Sequence, residues 1–267
     1  MNNLPSFENI EVKLAKGFLF VTLNRPECRN AMNLKMVNEL VGIIDQARDD
    51  VSVRAVILRG AGGNFCSGGD VKDMAGASGQ MGDPYYNLNR RFGTLITRVN
   101  ELPKPVIVVL EGAVLGGGFG LACVSDVALA HESASFGMPE TGLGLPPAQI
   151  APFVVNRIGL TQARRLGVLG ARFDGNEALR LGLVHTVFDS PETRDIELET
   201  VLAQVRRCAP GAIEVTKRLM LSHGSMPLGT LLDQAARDFS QCIRSKEGRE
   251  GIAAFKEKRL PYWAEDN

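Results

Sequence analysis

The stretch PVIVVLEGAVLGGGFGLACVSDVALA, residues 105–130, decides the fold. Val106-Ile107-Val108-Val109-Leu110 is an unbroken apolar run, the pattern of a strand buried on both faces. Glu111-Gly112 interrupts it, and Leu115-Gly116-Gly117-Gly118-Phe119-Gly120 leads into an apolar segment that reads as a helix, with a further strand expected at 126–130. Strand, glycine turn, helix, strand is the order of an α/β fold whose parallel strands end in functional loops.

Upstream, two β-prone runs at 10–14 and 18–23 are separated by Ala15-Lys16-Gly17, which predicts a hairpin closed off by Asn24-Arg25-Pro26. From Asn33, the residues Leu34, Val37, Leu40, Val41, Ile44 and Ala47 recur at spacings of three and four, so they share one face of a helix that stops near Asp49-Asp50. A short strand at 55–58 enters the glycine loop 60–70, with a helix expected beyond it. Residues 75–84 are small and polar and read as a mobile loop before a helix at 85–101. After about Arg206 the strand signal disappears and helices are expected near 210–221, 228–242 and 247–258. The predicted organisation is therefore a core, residues 1–205, carrying the site, and a helical C-terminal region, residues 206–267.

Composition narrows the function. The 267 residues carry 30 basic and 30 acidic side chains. That balance lacks the basic footprint of a dedicated nucleic-acid binder or of a surface that adheres to anionic lipid. The five cysteines are dispersed without a CxxC pair, which suits a reducing compartment. No basic-then-apolar leader is visible in the first ten residues, and no apolar run is long enough to span a bilayer, so a cytoplasmic location is expected. His131, His185 and His223 have no metal-ligand spacing and read as structural or surface residues; no metal is expected.

Two glycine loops, 60–70 and 116–120, each follow an apolar strand and open toward a helix, an arrangement that leaves backbone N–H groups free for an anion or a developing oxyanion. Neither spells GxGxxG or GxxxxGK[ST], and Ser67 does not sit in a GxSxG elbow. Tight packing would explain either loop alone; the pair favours function. Glu140, within Phe136-Gly137-Met138-Pro139-Glu140, is on composition alone an ordinary surface carboxylate.

Four segments change that reading. NRPECRNAM (24–32), FCSGGDVKDM (65–74), the 105–130 stretch and FGMPETGLG (136–144), in this order and spacing, resemble the enoyl-CoA hydratase/isomerase family, the crotonases; GIAAFKEKR near the C-terminus extends the likeness. The resemblance implies a spiral of ββα repeats, a helical C-terminal region used in homotrimer or homohexamer contacts, and an acyl-CoA substrate, with CoA part of the substrate and no separate cofactor. It implies an oxyanion hole formed by the N–H groups of Ser67 and Gly117. Of the two glutamates that hydratases of this family use, the second matches Glu140 and the first falls on Gly120.

With one carboxylate, either Glu140 serves both proton transfers with help from the substrate, or the reaction is a single-base double-bond isomerisation. Residues 139–166, with LGGGFGLACVSDVA, resemble the branched glutaconyl-CoA hydratases, most closely the isohexenylglutaconyl-CoA hydratases of citronellol/geraniol catabolism. The expectation is a lyase hydrating such an acid-bearing enoyl-CoA, the substrate carboxylate positioning water where Gly120 leaves space. The alternatives are a 3-methylglutaconyl-CoA hydratase, an isomerase, or a non-catalytic CoA- or RNA-binding member. A substrate carboxylate calls for a cation, for which Arg90 or Arg91 is a candidate, although paired arginines also make an ordinary solvated helix face. The resemblance further implies CoA contacts at Cys28, Arg29, Gly69 and Asp70, and at Phe255 and Lys258 from a neighbouring subunit; helix amphipathicity would also explain the last two.

Overall fold

The computed structural model describes residues 6–70 and 83–264. The helix expected just beyond Asp70, the end of the 65–74 motif and the proposed mobile loop up to residue 82 lie outside the described residues.

The chain opens with the expected hairpin, β1 (Ile10–Ala15) against β2 (Phe18–Leu23). Asn33 then caps α1 (Leu34–Asp49), its side chain accepting the Met36 N–H at 2.7 Å and meeting one of the unsatisfied donors of the first turn. Val37, Leu40, Val41, Ile44 and Ala47 are buried, as their spacing predicts, whereas Leu34, placed on the same face, is exposed at the first turn, and Met36 and Ile43 are buried without having been read as part of that face. Then follow β3 (Ala55–Gly60), α2 (Pro84–Asn100), β4 (Val106–Leu110), β5 (Ala113–Leu115), α3 (Gly117–Val124), β6 (Val127–His131) and β7 (Ser135–Gly137). A 3-10 turn (Pro139–Leu143) precedes α4 (Ala151–Leu169), β8 (Arg172–Phe173), α5 (Gly175–Arg180), β9 (Thr186–Phe188) and the helices α6 (Pro191–Arg207), α7 (Pro210–Leu221), α8 (Leu228–Arg244) and α9 (Lys246–Glu257).

The main sheet has the order β1-β2-β3-β4-β6-β9, parallel throughout except at β1. A second, smaller sheet, β5-β7-β8, takes the short strands that follow β4 and β6. The loop after β3 joins that layer, because Cys66 bridges to Val114 and Gly69 to Met32. Strand, short strand, helix thus repeats around the molecule, giving the spiral α/β architecture.

The β4 run is apolar throughout because both faces are covered. Val106, Val108 and Leu110 enter the larger core with α1, α2 and α3, while Ile107 and Val109 meet Phe18, Ile57, Leu129, Leu202 and Val205 on the opposite face. Leu202 and Val205 come from α6. That helix crosses the boundary placed at 205/206 and roofs the sheet, so it belongs to the core; the last strand ends at Phe188, before the predicted loss of strand signal at Arg206. No helix among the described residues is long and apolar enough to cross a membrane.

Candidate active site

The site forms where the two glycine loops meet. Cys66 N–H donates to Ala113 at 2.8 Å and Leu115 N–H donates to Cys66 at 2.9 Å, which lays residues 66–68 alongside β5 and the start of α3. An added Cβ on Gly116 would come within 3.4 Å of Gly68 Cα. Gly116 has φ +49 and ψ −113, a conformation that strains any residue with a side chain, and it is also the N-cap of α3. Gly117 is therefore the first helical residue. Its N–H has no intrahelical carbonyl to donate to, and among the described residues it has no other hydrogen-bond acceptor. The positive end of α3 reinforces that donor.

Glu140 faces this helix start. Gly116 N–H donates to Gly137 at 3.1 Å, fastening β7 here, and three residues later the 3-10 turn directs Glu140 back, its Oε1 standing 2.7 Å from where a Gly116 Cβ would be. Its Oε2 is buried with no hydrogen-bond partner. Burial raises the carboxyl pKa above its ordinary value, opposed by a hydrogen bond from the residue's own backbone. A half-buried carboxylate with one unpartnered oxygen beside a bare N–H is a group held for something not made of protein.

Ser67 is adjacent, but its N–H donates to the Arg29 carbonyl at 3.0 Å and its hydroxyl to the Cys28 carbonyl at 3.0 Å. Any further acceptor arriving at this donor must share it with Arg29 or displace that carbonyl. Cys66 below it is fully buried, its thiol receiving the Gly68 N–H at 3.3 Å; burial pushes the thiol pKa up to about 12, so it is a neutral spacer and no nucleophile.

The turn that presents Cys28 and Arg29 hangs on a residue that sequence reasoning missed. Asn30 is wholly buried; its side chain accepts the Arg25 N–H at 2.8 Å and donates to the carbonyls of Ala61 at 2.9 Å and Asn64 at 2.6 Å. Arg29 and Asn30 both have positive φ, 52° and 56°. The left-handed pair tolerated by Asn at its second position was the available signal. Gly69 pairs with Met32, and the Asp70 carboxylate accepts from Arg25 at 2.9 Å, so these two stand with Cys28 and Arg29 around one loop crossing. Phe255 and Lys258 do not join them within this chain: Phe255, 85% exposed, and Lys258 sit at the end of α9.

Gly120 differs from the expectation. It leaves no space: a Cβ there would overlap the Ile150 Cγ2 methyl and come within 3.2 Å of Ile96 Cδ1. Ile150, at the turn before α4, fills the volume that a side chain at 120 would need. The wall beside this helix is accordingly apolar, with Phe92 and Met32 in front of Gly117 at 2.9 and 3.1 Å from its hypothetical Cβ. Arg90 Nη1 lies 3.4 Å from Gln149 Oε1, whereas Arg91 turns away and donates to Asn38 at 2.7 Å.

The histidines stand apart from this cluster. His185 accepts the Ala128 N–H at 3.0 Å, and burial and Arg157 lower its pKa; His131 bonds Ser133 and the Asp189 carbonyl. Among the described residues no three His, Cys, Asp or Glu side chains gather as a metal site.

Comparison with known proteins bears on the chemistry. The family model described as enoyl-CoA hydratase/isomerase matches residues 13–266. The short-chain-enoyl-CoA hydratase of Clostridium acetobutylicum is 32% identical, covering 90% of this chain and 91% of its own length. The 2,3-dehydroadipyl-CoA hydratase of Escherichia coli is 31% identical, covering 91% and 93%. Among solved structures, AtuE of Pseudomonas aeruginosa superposes with a TM-score of 0.95 at 55% identity over 97% of this chain and 100% of its own. An enoyl-CoA hydratase/isomerase of Marinobacter aquaeolei gives 0.94 at 54%, over 96% and 99%.

Proposed function

Since the chain belongs to the enoyl-CoA hydratase/isomerase family, we propose that it hydrates an enoyl-CoA thioester whose acyl chain carries a second carboxylate, with Glu140 as its only acid/base. The observation that carries this reading is the Glu140 carboxylate, half-buried with an unpartnered Oε2, next to the bare Gly117 N–H at the start of α3.

In the forward direction ionised Glu140 takes a proton from water as the water oxygen bonds to the β-carbon. The electron pair of the double bond moves toward the thioester, and its oxygen becomes enolate-like. Gly117 N–H and a shared Ser67 N–H hold that charge, a donor of this kind contributing about 10²–10³ in rate. Glu140 then returns its proton to the α-carbon, so one water is added and the enzyme is restored. Burial makes the carboxyl a better proton carrier than an exposed one, as a single group that must both take and give requires.

The substrate is a 3-branched glutaconyl-CoA of the isohexenylglutaconyl type, met in citronellol/geraniol breakdown. Two things support that choice: the 139–166 stretch resembles such hydratases, and the Escherichia coli relative is named for an acid-bearing thioester. The filled space at Gly120 assigns water no carboxylate on that side, so the substrate's own carboxylate takes a larger share of its positioning. CoA would lie along Cys28, Arg29, Gly69 and Asp70. The assembly would be a homotrimer or homohexamer, supported by the apolar face left exposed on α8 by Leu232 and Phe239, 59% and 68% exposed, and it would bring Phe255 and Lys258 to a neighbour's nucleotide.

The lone carboxylate also favours a second reading, a double-bond isomerase. Product masses from linear, 3-methylglutaconyl and isohexenylglutaconyl thioesters separate the two. Hydration of the branched acids is expected; an unchanged mass with a shifted double bond would make the enzyme an isomerase, and no turnover of any thioester would overturn both.

A further inference from the structure

Both halves of the site hang from one turn. Glu111-Gly112-Ala113 joins β4 to β5, and four hydrogen bonds meet on it. Phe65 N–H donates to the Glu111 carbonyl at 2.7 Å, Cys66 N–H to Ala113 at 2.8 Å and Ser135 N–H to Gly112 at 2.7 Å, while Ala113 N–H donates to the side-chain Oδ1 of Asn64 at 3.0 Å. From Ala113, the three residues of β5 lead to Gly116 and the Gly117 donor; from Ser135, the three residues of β7 lead to the 3-10 turn that carries Glu140. Strands this short have little pattern of their own to fix their register, so donor and carboxylate inherit their spacing from the turn. Asn64 supplies the one side chain among these four bonds, and Gly112 makes room for it. The Gly112 φ is +55°, and an added Cβ there would overlap the Gly63 carbonyl and lie 2.6 Å from Asn64 Oδ1. The other end of the amide donates to Gly62 at 3.2 Å, and the Asn64 carbonyl accepts from the Asn30 side chain at 2.6 Å, which ties in the turn that presents Cys28 and Arg29.

We infer that Asn64 is a positioning residue for the reaction: by accepting the Ala113 N–H it fixes the 111–113 turn and, through β5 and β7, the placement of the Gly117 donor against Glu140. This rests on the reading proposed above, in which those two groups act on one thioester. Ala113 is buried, so without the Asn64 oxygen its N–H is satisfied only if the turn shifts toward another acceptor or toward water. Such a shift leaves both reacting groups present and misplaces one against the other, and a misplacement of about 1 Å costs on the order of 10²-fold in rate. Asn64 acts through Ala113, away from the reacting carbons.

The test compares the full-length wild-type enzyme with three variants. Asn64→Ala deletes the acceptor, Asn64→Gln moves it out by one methylene, and Asn64→Asp keeps an oxygen for Ala113 N–H and gives up only the bond to Gly62. With 3-methylglutaconyl-CoA, kcat is expected to fall about 10- to 100-fold in Asn64→Ala with KM little changed, and Asn64→Asp should recover most of the loss. Partial unfolding would also lower kcat, so bound cinnamoyl-CoA supplies a second readout. Its absorption moves to longer wavelength as the Gly117 N–H polarises its carbonyl, and an unfolded fraction weakens the band of the bound form without moving it. That band should lie at shorter wavelength in Asn64→Ala than in the wild type and Asn64→Asp. A band that keeps its wild-type position in Asn64→Ala or, should the alanine variant not fold, in Asn64→Gln, overturns the assignment whatever kcat does, as does a loss that Asn64→Asp shares in full. A wild type that neither turns over the thioester nor shifts the cinnamoyl band defeats the reading beneath it instead, so the two failures are distinguishable.

Discussion

Gly117 and Gly120 lie one turn apart on the same short helix, and the structure uses them in opposite ways. At Gly117 the absent side chain leaves a backbone donor reachable, with the side-chain ends of Phe92 and Met32 nearest to it. At Gly120 the absent side chain is replaced by Ile150, packed in from thirty residues away. The first glycine exposes polarity and the second removes it. Identical residues in one motif therefore carry different chemistry according to what fills the volume they leave, and the site becomes one carboxylate facing an apolar wall.

The largest effect that would sharpen this contrast comes from Glu140→Gln, which keeps shape and removes the proton carrier. Its kcat should fall about 10²–10⁴-fold. Stability moves the other way: burial raises the folded-state pKa of Glu140, so the stability linked to it is present below the unfolded-state pKa and lost as pH rises through the folded one. At neutral pH the glutamine variant should melt no lower than the wild type, and a scanning calorimeter checks it.

Next comes Gly117→Ala. The added methyl would press on Phe92 and Met32 side-chain ends, which can move, so the fold should survive while the approach to the N–H closes; a loss of about 10²-fold in kcat/KM is expected, near that of losing an oxyanion donor. Gly120→Ala should invert that pattern. Its methyl overlaps Ile150 inside the core, and overpacking of this kind costs about 1–3 kcal/mol, readable in urea unfolding. Adding Ile150→Ala to Gly120→Ala should recover part of that cost relative to the sum of the two single changes, since the residues touch. Additive losses would mean that Ile150 does not occupy the space.

Much of the fold was legible because its signals are local. The five-residue apolar run of β4 and the periodicity of α1 each declare themselves within a turn or two. The strands β5, β7 and β8, two or three residues each, carry too little pattern to be read, and they exist through pairing with residues far away. α6 was not read as a helix at all, because its mixed sequence hides which residues, Leu202 and Val205, reach the sheet. In the site, the second glycine loop announced the free donor at Gly117, the Ser67 N–H of the first is taken by the Arg29 carbonyl, and Glu140 was singled out by resemblance alone. Nothing local to Glu140 reveals its burial, which comes from Gly116 yielding its side-chain volume. The sealing of Gly120 by Ile150 is likewise a long-range packing event without a local trace.

The claim that a single carboxylate runs the reaction is tested most directly by the pH dependence of kcat/KM on the branched acid thioester. Activity needs ionised Glu140 in the free enzyme, so the acid limb should fall with a one-proton slope centred above the ordinary carboxylate range, and Glu140→Gln should abolish that limb in its residual activity. A two-proton slope, or an acid limb that survives unchanged in Glu140→Gln, would contradict it.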